Sequence, residues 1–215
     1  MTKIAPSILA ADLSKINNEV INVDKAGAEY IHIDVMDGHY VPNISFGPNI
    51  VETLRPLTKK ILDVHLMITP VMPYIKAFID AGADIISFHP EADDNSKTII
   101  ETIKSANCRA GIAIHPNVEI EAIQEFLNDI DLVVVMTVVP GFGGQKFLDT
   151  QLSKINKLYY IRESAKAKFE IEIDGGINEQ TSKQCIANGA DVLVAGSYIY
   201  EGDKSEYENL INSIR

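Results

Sequence analysis

The stretch YIHIDVMDGHYVPN, residues 30–43, begins as a buried β-strand and yet carries a histidine and an aspartate inside it. Ile31, Ile33 and Val35 alternate with His32, Asp34 and Met36, and successive side chains of a strand point to opposite faces. One face is therefore aliphatic, and the other holds groups that bind protons or metals. Burial of such groups is costly unless they are paired or ligated, so this strand needs a setting in which both faces are covered and the polar face is used.

The rest of the chain supplies that setting. Apolar runs recur as KIAPSIL, KILDVHLM, DIISFH, RAGIAI, DLVVVMTVV, FEIEID and DVLVAG, which with YIHIDVM make eight candidate strands. Helical spacing fills segments between them, at 13–26, 73–81, 120–127, 148–165 and 179–188. Gly27, Gly82 and Gly189 sit in the steps AGAEY, AGADI and NGADV, where a glycine suits the left-handed cap that ends a helix before the next strand. No linker, low-complexity tract or charge block divides the chain. The pattern predicts an α/β protein, a single-domain (β/α)8 TIM barrel spanning residues 1–215, with a doubly wound open sheet as the other arrangement.

In a barrel, alternate residues face the axis or the surrounding helices. His32, Asp34 and Met36 then point inward near the C-terminal end of their strand, the end where barrel enzymes do chemistry. His65 and Met67 share one face at the end of KILDVHLM, and Asp174 faces inward in FEIEIDGG while Ile171 and Ile173 face outward. His32, Asp34, His65 and Asp174 are thus expected to ring the barrel mouth, a set suited to zinc, iron or manganese. A lone strand histidine is ordinarily a hydrogen-bonded core residue; two histidines and two aspartates at equivalent strand ends point to a metal centre. His89, in SFHPEA, has no inward carboxylate on its own strand and is assigned a supporting role, and His39 and His115 read as loop histidines. Two aspartates on opposite sides of a metal fit removal of a carbon-bound proton on one face and its return on the other, beside a carbonyl whose enediolate the metal stabilises. Met36, Met67 and Met136 end strands around that point, where they would either pack the core or keep water from the reacting carbon.

Glycines cluster after the last three strands, in VVPGFGGQKF, DGGI and AGSYI. Backbone amides at such loops bind anions without lysine, and barrels commonly seat a phosphate there. The glycine-rich loop 139–147 is long enough to act as a lid. At the barrel floor Lys3 shares strand phase with Ser7, and Glu172 with Asp174, so a Lys3–Glu172 pair is expected inside the barrel.

With 46% hydrophobic and 23% charged residues, a chain of 215 residues can bury a large core. Its net charge of -11 is spread along the chain and argues against nucleic acid or an anionic membrane as partner. Cys108 and Cys185 are too few and too isolated for a disulfide framework or a structural zinc. MTKIAPSILA lacks the apolar region of a signal peptide, and no window approaches a membrane span. A cytoplasmic location is expected.

The motifs HIDVMDGHYVPN, DVHLM, FHPEA, MTVVPGFGGQKF, EIDGGI and AGS, in that order, make the chain closely resemble the ribulose-phosphate 3-epimerase family from APSILAADL to VAGSYIY. That resemblance implies a barrel isomerase of the pentose phosphate pathway that interconverts D-ribulose 5-phosphate and D-xylulose 5-phosphate. It implies one divalent metal ion, zinc, iron, manganese or cobalt, held by His32, Asp34, His65 and Asp174. Asp34 would accept the proton and Asp174 donate one, with the roles exchanged in reverse. Ser7 and His65 would contact the sugar. Gly141, Phe142, Gly143, Gly144, Gly175, Gly176, Gly196 and Ser197 match the family's substrate-binding segments, chiefly around the phosphate. A small sugar phosphate is the expected partner, and a homo-oligomer the expected assembly. Val139 stands where a polar residue is usual, and IHPNVE also departs from the pattern; both touch loop packing more than chemistry. An allulose-6-phosphate 3-epimerase would share the metal and both aspartates, but DGGI rather than DGS favours the pentulose enzyme. A related decarboxylase pairs Asp with Lys in its strand motif, and HIDVMDG has no lysine. The intact acid, base and ligand set argues against a noncatalytic phosphosugar-binding protein.

Overall fold

The computed structural model describes residues 1–215. The apolar runs form strands β1 (Lys3–Pro6), β2 (Tyr30–Met36), β3 (Ile61–Met67), β4 (Ile85–Phe88), β5 (Arg109–Ile114), β6 (Leu132–Met136), β7 (Glu170–Asp174) and β8 (Val192–Ala195). All pair in parallel, in the order β1-β8-β7-β6-β5-β4-β3-β2. The seam between β1 and β2 is closed by a parallel bridge from Ser7 to His32 and by the Glu29 amide, which donates to the Ile4 carbonyl at 3.1 Å. The sheet is the (β/α)8 barrel that the strand count predicts, and not an open sheet.

Helices α1 (Ile16–Lys25), α2 (Pro48–Leu54), α3 (Met72–Ala81), α4 (Ser96–Ser105), α5 (Leu152–Ala165), α6 (Glu179–Ala187), α7 (Ser197–Tyr200) and α8 (Tyr207–Ser213) surround it. Four of them, α2, α4, α7 and α8, lie outside the segments with evident helical spacing. The segment expected to be helical at 120–127 is a 3-10 helix, Ile120–Phe126, whose buried residues Ile120 and Ile123 are three apart, the repeat that a 3-10 turn places on one side. Gly27, Gly82 and Gly189 take φ values of +95°, +102° and +103°, the left-handed turn expected at those helix ends. No helix is long and apolar enough to cross a membrane.

The core divides into two shells. Outward-facing Ile31, Ile33, Val35, Ile171 and Ile173 join the helices in the main cluster of 49 buried residues. Inside the barrel the apolar cluster has only 10 buried residues, among them Ala5, Ala113, Val134 and Val194. It is small because His32, Asp34, Asp63, His65, Glu172 and Asp174 occupy the upper layers, all of them buried.

At the floor, Lys3 and Glu172 do not pair. The Lys3 ammonium bonds to Glu170, which also accepts from Arg109 Nη2 at 2.6 Å and from the Tyr30 hydroxyl at 2.7 Å. Lys3 keeps 37% of its side chain exposed, whereas Glu172 is wholly buried one layer higher beside His32. A lysine stem lies along apolar surface while its charge stays near water, so Lys3 reaches down to Glu170 rather than up into the dry interior. The strand phase assumed for both residues holds; the partner does not.

Candidate functional site

Register builds the barrel mouth. In the β2–β3 pairing Asp34 stands beside His65 and His32 beside Asp63, and in the β6–β7 pairing Met136 stands beside Asp174. His32 Nε2 lies 3.4 Å from Asp34 Oδ1 and 3.8 Å from Asp174 Oδ2; His65 Nδ1 lies 3.5 Å and 3.4 Å from the same two oxygens. One donor atom from each of the four residues falls within 4.8 Å of all the others. His32, Asp34, His65 and Asp174 therefore converge as the strand pattern predicts.

The donors also fit a divalent ion chemically. His32 Nε2 and His65 Nδ1 are buried and have no hydrogen-bond partner, an arrangement that costs free energy unless something binds there. Two imidazole nitrogens and two carboxylates suit zinc, iron, manganese or cobalt.

Each side chain is held from behind. Ser7 Oγ donates to Asp34 Oδ2 at 2.6 Å, and Ser45 Oγ donates to the Asp34 carbonyl at 2.5 Å. Thr137 ties down the end of β7, its hydroxyl lying 3.0 Å from the carbonyl of Asp174 and 2.6 Å from that of Gly175. His32 Nδ1 lies 2.7 Å from Asp63 Oδ2 and 3.6 Å from Glu172 Oε1. His65 Nε2 lies 3.0 Å from His89 Nε2, so His89 stands behind a candidate ligand, as its sequence context predicts. Asp63, Ser45 and Thr137 carry parts of this support that the sequence analysis does not assign. Asp63 had a visible signal: it precedes His65 by two residues and so shares its inward face.

The electrostatics follow from burial and charge pairing. Burial works to lower the proton affinity of His32, but Asp34 and Asp63 outweigh it and raise the pKa well above the ordinary value. His65 is likewise raised, its burial offset by Asp174 and Asp34. Burial would raise Asp34, yet the two imidazoles hold it well below the usual carboxylate range. Burial and the neighbouring Asp63 push Glu172 well up, and burial pushes His89 down to about 4.

Above this layer lies a cleft. Ser7, Asp34 and Asp174 form its base, with Met36, Met67 and Met136 around them. Gly141, Phe142, Gly143, Gly144, Gly175, Gly176, Gly196 and Ser197 line the opposite side, and no lysine or arginine lines the cleft. His32 and His65 are fully buried and do not form its wall. Gly176 has φ +68°, and a Cβ there would come within 2.7 Å of the Phe147 backbone; a side chain is excluded, so the backbone itself faces the cleft. Asn43 Nδ2 donates to the Gly141 carbonyl at 2.8 Å, joining the loop after β2 to the loop after β6. Val139 is 54% exposed and outside the cleft lining, so its departure from the expected pattern leaves the cleft untouched. His39 is exposed and His115 partly exposed, each in a loop, as expected.

A closed (β/α)8 barrel with a buried His2Asp2 set at its C-terminal mouth, opening on a glycine-lined cleft, defines the chain as a barrel enzyme with a candidate metal centre. The model of the ribulose-phosphate 3 epimerase family matches residues 3–200. The ribulose-phosphate 3-epimerase of Bacillus subtilis (strain 168) is 48% identical over 216 residues, covering 100% of this chain and 99% of the relative. That of Rhodobacter capsulatus is 45% identical, covering 93% of this chain and 86% of the relative. Among solved structures, 3-hexulose-6-phosphate synthase from Salmonella typhimurium superposes with a TM-score of 0.73 at 20% identity, covering 99% of this chain and 96% of that one, a likeness of fold. The chain belongs to the ribulose-phosphate 3-epimerase family, and its class of enzyme is the isomerases.

Proposed function

We propose that the chain catalyses metal-dependent epimerisation at C3 of D-ribulose 5-phosphate to D-xylulose 5-phosphate, as the reaction of the pentose phosphate pathway, with residues 1–215 acting as one catalytic domain. The observation that carries this reading is the placement of Asp34 on β2 and Asp174 on β7, facing the same two imidazoles from two different strands. Two bases on opposite faces of one carbon are what inversion requires.

His32, Asp34, His65 and Asp174 would hold one divalent ion, which when bound would supply the positive charge that stabilises an enediolate. Asp34 takes the proton from C3, and the electrons of the broken C–H bond move into the C2–C3 enediolate. Asp174, entering the cycle protonated, returns a proton to C3 from the other face. The roles exchange in the reverse direction. Met36, Met67 and Met136 exclude water around the reacting carbon. Ser7 orients Asp34 and sits at the base of the cleft, within reach of the sugar.

The phosphate is assigned to the amides of Gly141, Gly143, Gly144, Gly175, Gly176, Gly196 and Ser197, because the cleft offers no basic side chain. Phe142, 55% exposed on the same loop, would close over the substrate. The buried free cysteines Cys108 and Cys185 fit a reducing, cytoplasmic setting. We assign the working assembly to a homo-oligomer by analogy with the family. The test is a coupled assay of xylulose 5-phosphate formation run beside allulose 6-phosphate. Preference for the five-carbon substrate is expected, because the phosphate loops and the His32, Asp34, His65 and Asp174 cluster would hold opposite ends of it at a fixed separation. Equal or better turnover of the six-carbon substrate would overturn the assignment.

A further inference from the structure

Two histidines face the same pair of carboxylates with different ring nitrogens, His32 with Nε2 and His65 with Nδ1. An imidazole binds a metal only through a nitrogen without a proton, so a neutral ligand carries its hydrogen on the other one. For His32 the choice is made locally, because Nδ1 lies 2.7 Å from Asp63, a carboxylate that only accepts. For His65 it is not. Its Nε2 faces a second imidazole nitrogen, His89 Nε2, at 3.0 Å, and either ring can be the donor in such a pair. The two arrangements have opposite consequences. If His89 donates, a neutral His65 carries its proton on Nδ1 and points it at Asp34 and Asp174. If His65 donates, Nδ1 is free.

The tie is broken one residue further out. His89 is fully buried, and its Nδ1 makes no hydrogen bond. That nitrogen faces Glu91 Oε1 at 3.6 Å, too long for a good hydrogen bond but close enough for the charge of the partly exposed carboxylate to act on the buried ring. Glu91 is itself held by the Tyr40 hydroxyl, which donates to Oε1 at 2.8 Å, and the Tyr40 ring lies over His89 with centroids 4.8 Å apart. A carboxylate there favours hydrogen on His89 Nδ1, leaves His89 Nε2 bare, and makes His65 the donor.

We propose that Glu91 and His89 are positioning residues that set the tautomer of His65 and keep its Nδ1 free toward Asp34 and Asp174. A glutamate that lies outside the cleft lining then governs metal affinity. The consequence for metal rests on the proposed metal centre; the placement of the protons does not depend on which reaction the chain catalyses.

Side-chain nitrogen shifts of full-length protein labelled with 15N-histidine, recorded without metal and with zinc, read the protons directly. The expected result is His89 as the Nδ1–H form and His65 protonated at Nε2 in both states. His89 protonated at Nε2 would overturn the proposal. Zinc affinity by chelator competition is the second readout. His89→Leu, which cannot accept, is expected to lose roughly 10- to 100-fold. His89→Gln, whose carbonyl oxygen can accept the same hydrogen, should stay within about threefold of the wild type. Glu91→Gln should fall between them and show His89 as a mixture of tautomers. Wild-type zinc affinity in His89→Leu, or an unchanged His89 tautomer in Glu91→Gln, would count against the mechanism. A failed epimerase assay with the expected shifts and affinities in place would remove the proposed reaction and leave this inference standing.

Discussion

Ser7 donates a 2.6 Å hydrogen bond to Oδ2 of Asp34, and this divides the work of the carboxylate between its two oxygens. Oδ1 is left to face His32 and His65, at 3.4 Å and 3.5 Å. The serine comes from β1's end and the aspartate from β2, so the contact also lies across the barrel's closing seam, where Ser7 bridges His32.

Replacing Ser7 should therefore disorient Asp34, the proposed base, without unfolding the barrel. A hydrogen bond to a charged group contributes about 1.5–3 kcal/mol, so Ser7→Ala is expected to lose roughly 10- to 100-fold in kcat/KM. Steady-state kinetics beside a thermal melt separate the two effects. A loss below about twofold would mean that Asp34 is oriented by something else.

Metal removal should reveal two opposite dependences on pH. Burial disfavours charge on His32, but Asp34 and Asp63 outweigh it and raise its pKa well above the ordinary 6.5. In metal-free protein this pairing contributes stability that is fully present below the unfolded-state value near 6.5 and is lost as pH rises through the raised folded value. Metal binding needs the nitrogen bare, so metal affinity should increase with pH over the same window. Melts of the metal-free protein and chelator competition, each from about pH 6 to pH 9, measure the pair. Metal affinity that does not change with pH would contradict the ligand assignment for His32.

The glycines of the cleft are not equivalent. A Cβ at Gly176, where φ is +68°, would meet the Phe147 amide nitrogen at 2.7 Å, whereas one at Gly143 meets nothing within 4 Å. Gly176→Ala should cost about 1–3 kcal/mol of stability and weaken phosphate binding, and Gly143→Ala should leave stability within about 0.5 kcal/mol. Denaturant melts of both variants make the comparison; equal destabilisation would show that the geometry at Gly176 is not what selects glycine.

At the floor, Glu170 holds two cations and a phenol. Glu170→Ala leaves Lys3 and Arg109 without their carboxylate. The expected cost is about 1–3 kcal/mol, less than for a fully buried pair because Lys3 is 37% exposed to screening solvent. Unchanged stability would show the network to be ornamental.

Much of this was readable from residue order alone. Strands that alternate aliphatic with polar residues, as in YIHIDVM, declare both their faces, and side-chain phase then places His32, Asp34, His65 and Asp174 around one axis. Two kinds of information were hidden. Helices α2 and α8 have only seven residues each, and α2 follows a loop rich in Pro, Asn and Gly, so their period does not stand out; α4, with Ile99, Ile100 and Ile103 buried at helical spacing, was legible and went unread. Contacts across the barrel depend on strand tilt and side-chain length: phase says that Lys3 and Glu172 point inward, but not that a long flexible lysine reaches Glu170 in the layer below. The support behind the candidate ligands was partly visible, since Asp63 shares a face with His65, while the Thr137 bond to the end of β7 depends on loop geometry that no periodicity records.

The central claim is that two carboxylates on different strands, Asp34 and Asp174, invert one carbon. It is tested most directly by forming product in deuterated water and locating the label by NMR. With two bases, the proton removed by one is not the proton returned by the other, so product formed from protiated D-ribulose 5-phosphate should carry deuterium at C3. Asp174→Asn should then block inversion, yet still allow exchange at C3 of one epimer through Asp34 if metal is retained, and Asp34→Asn should silence exchange from that face. Product that keeps the original C3 hydrogen, or near-normal epimerisation by Asp174→Asn, would contradict the account.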